Sequence, residues 1–224
     1  MSNRVALIVG AGPGISASFA EALVADGYRV ALASRSLGRL QPLAAAVGAH
    51  AYQADAASRD DLVQLFQDVD RGLGAPEVVL FNPSARIRGD LLSLDIDAAS
   101  AAIQATTVGA LVTAQEAARR MLPRGRGSIF FTGATAGIKG FARSSVFAMG
   151  KFAIRGLAQS LARELGPAGI HVAHFVIDGA VIQGSRDPGA FTPQAIARSY
   201  MAVLAQPGGA WSWEIELRSS TESF

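Results

Sequence analysis

The chain has 224 residues, enough for one α/β domain with a large core; half of the residues are hydrophobic and 17% are charged. That balance excludes an intrinsically disordered chain, and a net charge of +2 without a dense run of lysine and arginine argues against nucleic-acid binding. The absence of cysteine excludes disulfides and thiolate chemistry. The sequence has no uninterrupted apolar run of the about 18 residues that a membrane span needs.

Apolar runs of strand length alternate with segments of helical periodicity along the chain. The predicted strands are residues 4–9, 28–33, 50–53, 77–81, 128–132, 170–177 and 211–217. The predicted helices are residues 15–26, 37–47, 60–69, 98–121 and 144–165, and residues 184–193, rich in glycine and proline, are predicted as a loop. Because strands this apolar are buried on both faces, the alternation predicts one α/β domain, residues 1–224, with a doubly wound parallel sheet of about seven strands.

The first predicted strand is followed by a glycine-rich turn that contains Gly10, Gly12 and Gly14, and then by a helix from Ile15. Glycines let the backbone approach a pyrophosphate closely, and the unpaired N–H groups of a helix N-terminus favour its negative charge. The fingerprint G-x-G-x-x-G fails, because its sixth position is Ile15. The turn therefore predicts a nucleotide phosphate site, with an ordinary tight strand–helix turn as the alternative.

The second predicted strand is followed by a basic residue where cofactor specificity is set. Arg35 lies 21 residues after Gly14, where an acidic residue would bind the ribose 2′-hydroxyl of NAD and an arginine can pair with the 2′-phosphate of NADP. Ser34 stands at the position where an aspartate would favour NAD, and Arg39 offers a second charge one helical turn later. We expect NADP(H) rather than NAD(H), with a solvated surface arginine as the alternative.

The segment Phe147-Ala148-Met149-Gly150-Lys151 and the helix that continues to Leu165 resemble the active-site helix of short-chain dehydrogenases/reductases. The glycine turn agrees with the family pattern G-x-x-x-G-x-G at Gly10 and Gly14, with Ser16 in place of the third glycine. The resemblance extends from residue 5 to residue 217. It implies a Rossmann-like fold, a nicotinamide cofactor and oxidoreductase activity.

In that family a tyrosine protonates the substrate carbonyl, and a lysine four residues later lowers the tyrosine pKa and holds the ribose. A serine polarises the carbonyl, and an asparagine carries a water relay. The resemblance places Phe147 at the tyrosine, Ala134 at the serine and Thr106 near the asparagine, so that Lys151 alone is kept. A positioned acid contributes about 10²–10⁴-fold, so ordinary ketone reduction should be slow. The alternative for Lys151 is a solvated helix lysine.

The resemblance also implies cofactor contacts beyond the glycine turn. Asp55 takes the position that hydrogen-bonds the adenine amino group. Asn82 takes the first place of the family's Asn-Asn-Ala-Gly, although Pro83 removes a backbone donor; a turn residue bonded to its own backbone is the alternative. Gly179 makes the turn beside the nicotinamide. The expected cofactor-binding residues are Gly10, Gly12, Gly14, Ile15, Ser34, Arg35, Asp55, Asn82, Lys151 and Gly179.

A replacement for the missing proton donor is sought among nearby hydroxyl groups. Thr132 and Thr135 flank the lost serine and would be able to orient a water molecule. Tyr200 lies on the segment that closes over substrate in the family. Its hydroxyl would either reach the pocket as a proton donor or, as the alternative, belong to ordinary helix packing. His171 and His174 lie in an apolar strand and are expected to be buried and hydrogen bonded.

Three functions follow from these residues. The first is an NADP(H)-dependent oxidoreductase with an atypical centre that reduces an activated C=C bond, or less readily a carbonyl, of a small apolar substrate. The second is a catalytically silent NADP(H)-binding sensor or partner subunit. The third is a scaffold that no longer binds nucleotide.

The partners expected are a small-molecule substrate and further copies of the chain. The resemblance implies a homodimer or homotetramer, because the family's long helices, here residues 98–121 and 144–165, commonly pair across two-fold axes. We expect no nucleic-acid, membrane or metal partner. Residues 1–4 lead into an apolar strand without a signal-peptide pattern, so a cytoplasmic location is expected.

Overall fold

Seven parallel strands form one sheet in the computed structural model, which describes residues 4–186 and 190–220. The order across the sheet is β3-β2-β1-β4-β5-β6-β7, and every adjacent pair is parallel. The strands are β1 Val5–Val9, β2 Arg29–Ser34, β3 His50–Gln53, β4 Val78–Phe81, β5 Gly127–Thr132, β6 Ile170–Asp178 and β7 Glu214–Arg218. The predicted doubly wound parallel sheet is confirmed.

Helices cover both faces of the sheet. They are α1 Ile15–Ala25, α2 Leu37–Val47, α3 Arg59–Gly72, α4 Ile96–Ile103, α5 Gly109–Met121, α6 Ser145–Leu165 and α7 Pro193–Leu204. Alternate residues of β1 show how the core divides: Val5, Leu7 and Val9 pack with α3, α5 and α6, whereas Ala6 and Ile8 pack with α1, α2 and α7. All five are almost fully buried, as a strand sandwiched between two helical layers requires.

The strand order reverses direction beside β1, which lies between β2 and β4. The chain first builds outward from β1 to β3 and then returns to build β4 to β7 on the other side. At such a switch point the connections leave in opposite directions and open a crevice at the carboxyl ends of the strands. The glycine turn that follows β1 lies at this crevice.

The helix predicted at residues 98–121 is two α-helices joined by a π-helical turn. Helix α4 begins at Ile96, where the Asp95 carboxylate accepts from the N–H groups of Asp97 and Ala98. The π-helical turn follows at Gln104–Val108 and leads directly into α5. Apolar periodicity does not reveal one extra residue in a turn, so the boundary between the two helices was not predicted.

By length and composition alone, the combined helical stretch Ile96–Arg124 is apolar enough to cross a membrane. In this fold its inner face covers the sheet as part of the core. Glu116 is buried in it and bonded to Arg120, which also pairs with Asp70 of α3 at 2.7 Å. The stretch therefore has the contacts of a core helix.

Two further boundaries differ from the prediction. Strand β7 begins at Glu214 rather than at residue 211, because the Trp211 ring stacks on His171 with centroids 4.9 Å apart. The predicted loop at residues 184–193 ends where α7 begins at Pro193, after a cap in which the Thr192 hydroxyl accepts from the Ala195 N–H. Residues 187–189 of that loop lie outside the described residues.

Candidate active site

Two connected clefts lie along the carboxyl edge of the sheet. The main cleft, of about 1270 Å³, runs from the glycine turn past the ends of β5 and β6 to the start of α6. The side cleft, of about 860 Å³, lies beyond the ends of β2 and β3. The two share residues of the glycine turn and of the segment after β4, so together they form one continuous groove long enough for an extended ligand.

The glycine turn has the open surface that a phosphate needs. Gly10 has a φ of 77° and lies against the Pro83 ring, which would be 2.7 Å from an added Cβ. Gly14 has a φ of 120° and is the N-cap of α1, and no described side chain caps this helix. A Cβ on Gly12 or Gly14 would meet no atom within 4 Å, so backbone groups border the cleft directly. These observations fit a pyrophosphate at the turn.

Ser16, which replaces the third glycine of the family pattern, has a specific partner. Its Oγ accepts a hydrogen bond of 2.8 Å from Asn82 Nδ2, which also donates to the Gly10 carbonyl at 3.3 Å. Ser16 is 1% exposed, so its hydroxyl needs such a partner. Asn82 therefore joins the end of β4 to the glycine turn rather than bonding its own backbone, and the serine is accommodated by that bond.

The residues predicted to set cofactor specificity line the side cleft together. Arg35 and Arg39 are exposed there, and neither forms an ion pair within the described part of the chain. Ser34 lies at the end of β2 and donates to the Ser36 carbonyl at 3.3 Å. Asp55 lines the same cleft and accepts from the Ala57 N–H at 2.9 Å. The structure thus brings all of these predicted contacts to one end of the groove.

The catalytic positions are divided between the main cleft and the core. Phe147, Ala134 and Lys151 line the main cleft, as does Gly179 after β6. Thr106 does not: it is buried in the π-helical turn, where its hydroxyl donates to the Ala102 carbonyl at 2.7 Å.

Lys151 is buried at the floor of the main cleft. Its Nζ donates to the Thr132 carbonyl at 2.8 Å and lies 3.4 Å from the Pro83 carbonyl, so it spans the ends of β4 and β5. It is 2% exposed, which excludes the solvated helix lysine. Burial, with a smaller contribution from the charge of Arg86, lowers the pKa of Lys151 to about 8.

The hydroxyl groups considered as proton donors are engaged elsewhere. Tyr200 is fully buried, its hydroxyl lies 3.0 Å from the Thr132 hydroxyl, and burial raises its pKa far above the usual value. Tyr200 therefore belongs to the core, as the packing alternative stated. The Thr135 hydroxyl donates to Asp178 at the end of β6, and Asp178 also pairs with Arg218 at the end of β7.

The two histidines of β6 lie in the core behind the cleft. His171 Nε2 is 2.9 Å from the Ser212 carbonyl. His174 Nδ1 is 3.0 Å from Glu214 Oε2, and the same carboxylate receives two bonds, of 2.7 and 2.8 Å, from Arg155 of α6. Both histidines are buried and hydrogen bonded, as expected.

Sequence reasoning missed the basic side chains of the main cleft. Arg86 places its Cζ 4.6 Å from the ring centroid of Phe147, the residue that the sequence resemblance places at the tyrosine position. Further cations from the loop after β4, from the loop before α6 and from the end of β7 line the same cleft: Arg88, Lys139, Arg143 and Arg218. The sequence shows that these residues lie near strand ends. It does not show that the loop after β4 and the loop before α6 come together at the main cleft.

Comparison with known proteins places these features in context. The model of a family described as short chain dehydrogenase matches residues 4–181. The 3-oxoacyl-(acyl-carrier-protein) reductase MabA of Mycobacterium bovis is 29% identical over 179 residues, which are 80% of this chain and 70% of that protein.

Solved structures resemble the fold over nearly its whole length. A crystal structure of a short-chain dehydrogenase from Rhodopseudomonas palustris is 33% identical, covers 97% of this chain and 99% of its own, and has a TM-score of 0.86. A metagenomic short-chain oxidoreductase in complex with NADP is 22% identical, covers 99% of both chains, and has a TM-score of 0.88.

Proposed function

The chain belongs to the short-chain dehydrogenase family, a family of oxidoreductases, and on that premise we propose that it uses NADP(H) with an active site that lacks the protonating tyrosine. The observation that carries the proposal is the contrast within one groove. The glycine turn, the basic side cleft and buried Lys151 fit a dinucleotide, whereas Phe147 and Ala134 leave the usual proton-transfer positions without a hydroxyl.

The preference for NADP(H) rests on the side cleft. Arg35 and Arg39 are exposed there without a described carboxylate partner, and Ser34 leaves room where a carboxylate would repel a phosphate. A structural relative of the same fold is in complex with NADP. In this proposal the two arginines hold the 2′-phosphate, Asp55 contacts the adenine, and the glycine turn holds the pyrophosphate.

The missing acid favours one kind of substrate over another. NADPH, when bound, supplies a hydride. Reduction of a ketone then requires a proton at the substrate oxygen, which the Phe147 ring cannot give. Reduction of a C=C bond conjugated to an electron-withdrawing group places its proton on carbon, where water can deliver it. We therefore propose an activated C=C bond as the preferred target, with a carbonyl as the slower one.

A second candidate is a protein that binds NADP(H) without catalysis. It is favoured by the occupied hydroxyl groups: Thr132 is bonded to Tyr200, and Thr135 is bonded to Asp178. In that case the groove senses the cofactor, and no substrate is turned over.

Calorimetric titration of the purified protein with NADPH and separately with NADH tests the proposal. Micromolar binding of NADPH with much weaker NADH binding supports it, and no binding of either contradicts both candidates. Oxidation of NADPH in the presence of a panel of enones and ketones then separates them, because the silent protein oxidises none.

The double variant Phe147→Tyr with Ala134→Ser sharpens the second step. If it gains ketone reductase activity that the parent lacks, the cleft admits substrate and only the proton donor is missing. If it gains none while still binding NADPH, the cleft is closed to ketones or has another use.

We also propose that the protein assembles through α5 and α6. Val108, at the end of the π-helical turn, and Leu111 of α5 are exposed three residues apart, and so are Met149 and Phe152 of α6. All four are between 38% and 57% exposed, which is high for large apolar side chains on neighbouring helices.

A further inference from the structure

The walls of the main cleft carry more positive charge than the whole chain. The net charge of the chain is +2, yet among the described residues that line the cleft six are lysine or arginine and one, Asp178, is a carboxylate. Arg218 pairs with that carboxylate, and Lys151 lies buried at the floor. The remaining four, which we call the cationic rim, stand on the loops at the mouth: Arg86, Arg88, Lys139 and Arg143.

The two loops that carry the cationic rim are bonded to each other. The Gly89 N–H donates to the Arg143 carbonyl at 3.2 Å, and Arg143 Nε lies 3.3 Å from Asp90 Oδ1. Arg143 has a φ of 61° and is the one non-glycine residue with a positive φ in the described chain. An arginine rarely adopts this left-handed conformation, and such strain is concentrated at binding sites.

Arg86 is arranged to bind an anion. Its Cζ lies 4.6 Å from the Phe147 ring centroid, a cation–π contact, and guanidinium N–H groups are suited to donate to an oxyanion. Within residues 4–186 and 190–220, no carboxylate pairs with Arg86, Arg88 or Lys139. The effect of Arg86 on the pKa of Lys151 shows that its charge acts at the cleft floor.

Three residues of the cationic rim lie apart from the arginines of the side cleft, whereas Arg86 lines both clefts. Arg35 and Arg39 line only the side cleft, whereas Arg88, Lys139 and Arg143 line only the main cleft. Arg143 is paired with Asp90, so the cations of the rim without a described carboxylate partner are Arg86, Arg88 and Lys139. Three such cations in a concave site concentrate anions from solution. The rim therefore has the charge of a site for a second anionic ligand.

We propose that the main cleft binds a substrate with an anionic group, a carboxylate or a phosphate monoester, which the cationic rim holds beside Phe147. The nature of the reaction rests on the proposed function, whereas the binding of the anion does not. The apolar substrate expected from the sequence fits this charge poorly. Phe147 then has a positive role, because its ring is the platform that holds Arg86 in place.

The test compares ligands that share a carbon skeleton and differ in whether they carry an anionic group. The first pair is 4-oxopent-2-enoate, which has both an activated C=C bond and a ketone, and its methyl ester; the chain has no cysteine that this enone would alkylate. The second pair is hydroxyacetone phosphate and hydroxyacetone. Each is titrated by calorimetry into the full chain saturated with NADP⁺, which cannot donate hydride, and into the cofactor-free chain.

We expect at least one anion to bind about tenfold or more tightly than its neutral partner, as charge-assisted bonds to arginine imply. The pair that shows this preference identifies the group as carboxylate or phosphate. Arg86→Gln and Lys139→Gln should each reduce the preference, and Arg163→Gln, on the outer side of α6, should leave it unchanged.

Equal binding of anion and neutral partner in both pairs would overturn the proposal. So would a preference that persists in both rim variants. A protein that fails to bind NADPH but prefers the anion when cofactor-free would refute the proposed function and leave the anion site standing.

Discussion

Phe147 lies under the Arg86 guanidinium at the position that the sequence resemblance assigns to the family's tyrosine. A guanidinium stays protonated throughout the physiological range, so Arg86 orients and stabilises negative charge but does not deliver a proton. At the scale of single residues, Phe147 and Arg86 therefore present a cation to the cleft and no acid. Two predictions concern single residues of the groove: Arg35 in the side cleft and Lys151 at the floor of the main cleft.

Arg35→Asp should weaken NADPH binding by about tenfold or more and narrow or reverse the preference over NADH, because a carboxylate repels the 2′-phosphate and accepts from a 2′-hydroxyl. Calorimetric titration of both cofactors measures the change. Arg163→Asp is the matched control, since that arginine lies exposed on α6 far from both clefts. Unchanged NADPH binding in Arg35→Asp would show that the arginine is a solvated surface residue.

Lys151 should make stability and binding respond to pH in opposite directions. Burial and then Arg86 lower its pKa from 10.5 to about 8, so between those values the unfolded state binds more protons and the free energy of unfolding rises with pH. The ammonium is lost over the same range, so NADPH affinity should fall above about pH 8. Denaturant unfolding at several pH values compares the parent with Lys151→Met.

The difference in unfolding free energy between the parent and Lys151→Met, followed against pH, separates the titration of Lys151 from that of other groups that titrate in alkali. His174 is affected by the charge of Lys151, but burial is the largest cause that holds its pKa below the usual value, so His174 stays neutral in this range. The same pH dependence in Lys151→Met would contradict the assignment. Arg86→Gln should move the response to higher pH.

Single hydrogen bonds also tie elements together, and the bond from Asn82 to Ser16 joins β4 to α1. Asn82→Ala should lower the free energy of unfolding by about 1–2 kcal/mol, since it leaves a buried hydroxyl without its donor. A double-mutant cycle with Ser16→Gly should give a coupling of about 1 kcal/mol. The exposed pair Gln64 and Asp68 offers the control: Gln64→Ala should have almost no effect. Additive effects of Asn82→Ala and Ser16→Gly would refute the coupling.

Glu214 connects three elements, because it bonds Arg155 of α6 and His174 of β6 from its place on β7. Glu214→Gln should cost about 2 kcal/mol of unfolding free energy, measured by denaturant titration. Burial raises the pKa of this carboxyl, but the bonds from Arg155 and His174 outweigh it, so the stabilisation is lost as pH falls into the acid range. Glu216→Gln, half exposed on the same strand, should have little effect; equal costs would contradict the role of Glu214.

The sheet and its helices could be predicted from the sequence, because a strand buried on both faces is a continuous apolar run that local sequence reveals. The break between α4 and α5 could not, because one extra residue in the π-helical turn at Gln104–Val108 leaves the apolar periodicity almost unchanged. In the site, Lys151 was predicted from the resemblance to the family's active-site helix, and the glycine turn from its place between a strand and a helix. Arg86 was not, since its importance depends on a contact with Phe147, 61 residues away in the chain.

At the scale of the whole molecule, the exposed apolar side chains of α5 and α6 predict self-association. Phe152→Asp should convert the assembly to monomers, because it places a charge in a surface that another copy would bury. Light scattering coupled to size-exclusion chromatography measures the mass. Leu122→Asp is the control, since Leu122 is 45% exposed beyond the end of α5. A parent protein that is already monomeric would contradict the proposal.

The stacking of Trp211 on His171 has a practical consequence. The two tryptophans of the chain, Trp211 and Trp213, both lie just before β7, at the edge of the sheet. Intrinsic tryptophan fluorescence is therefore a local reporter of that edge, whereas circular dichroism averages over all helices. If the two signals change at different denaturant concentrations, β7 detaches before the rest of the sheet melts; coincident curves show one cooperative unit.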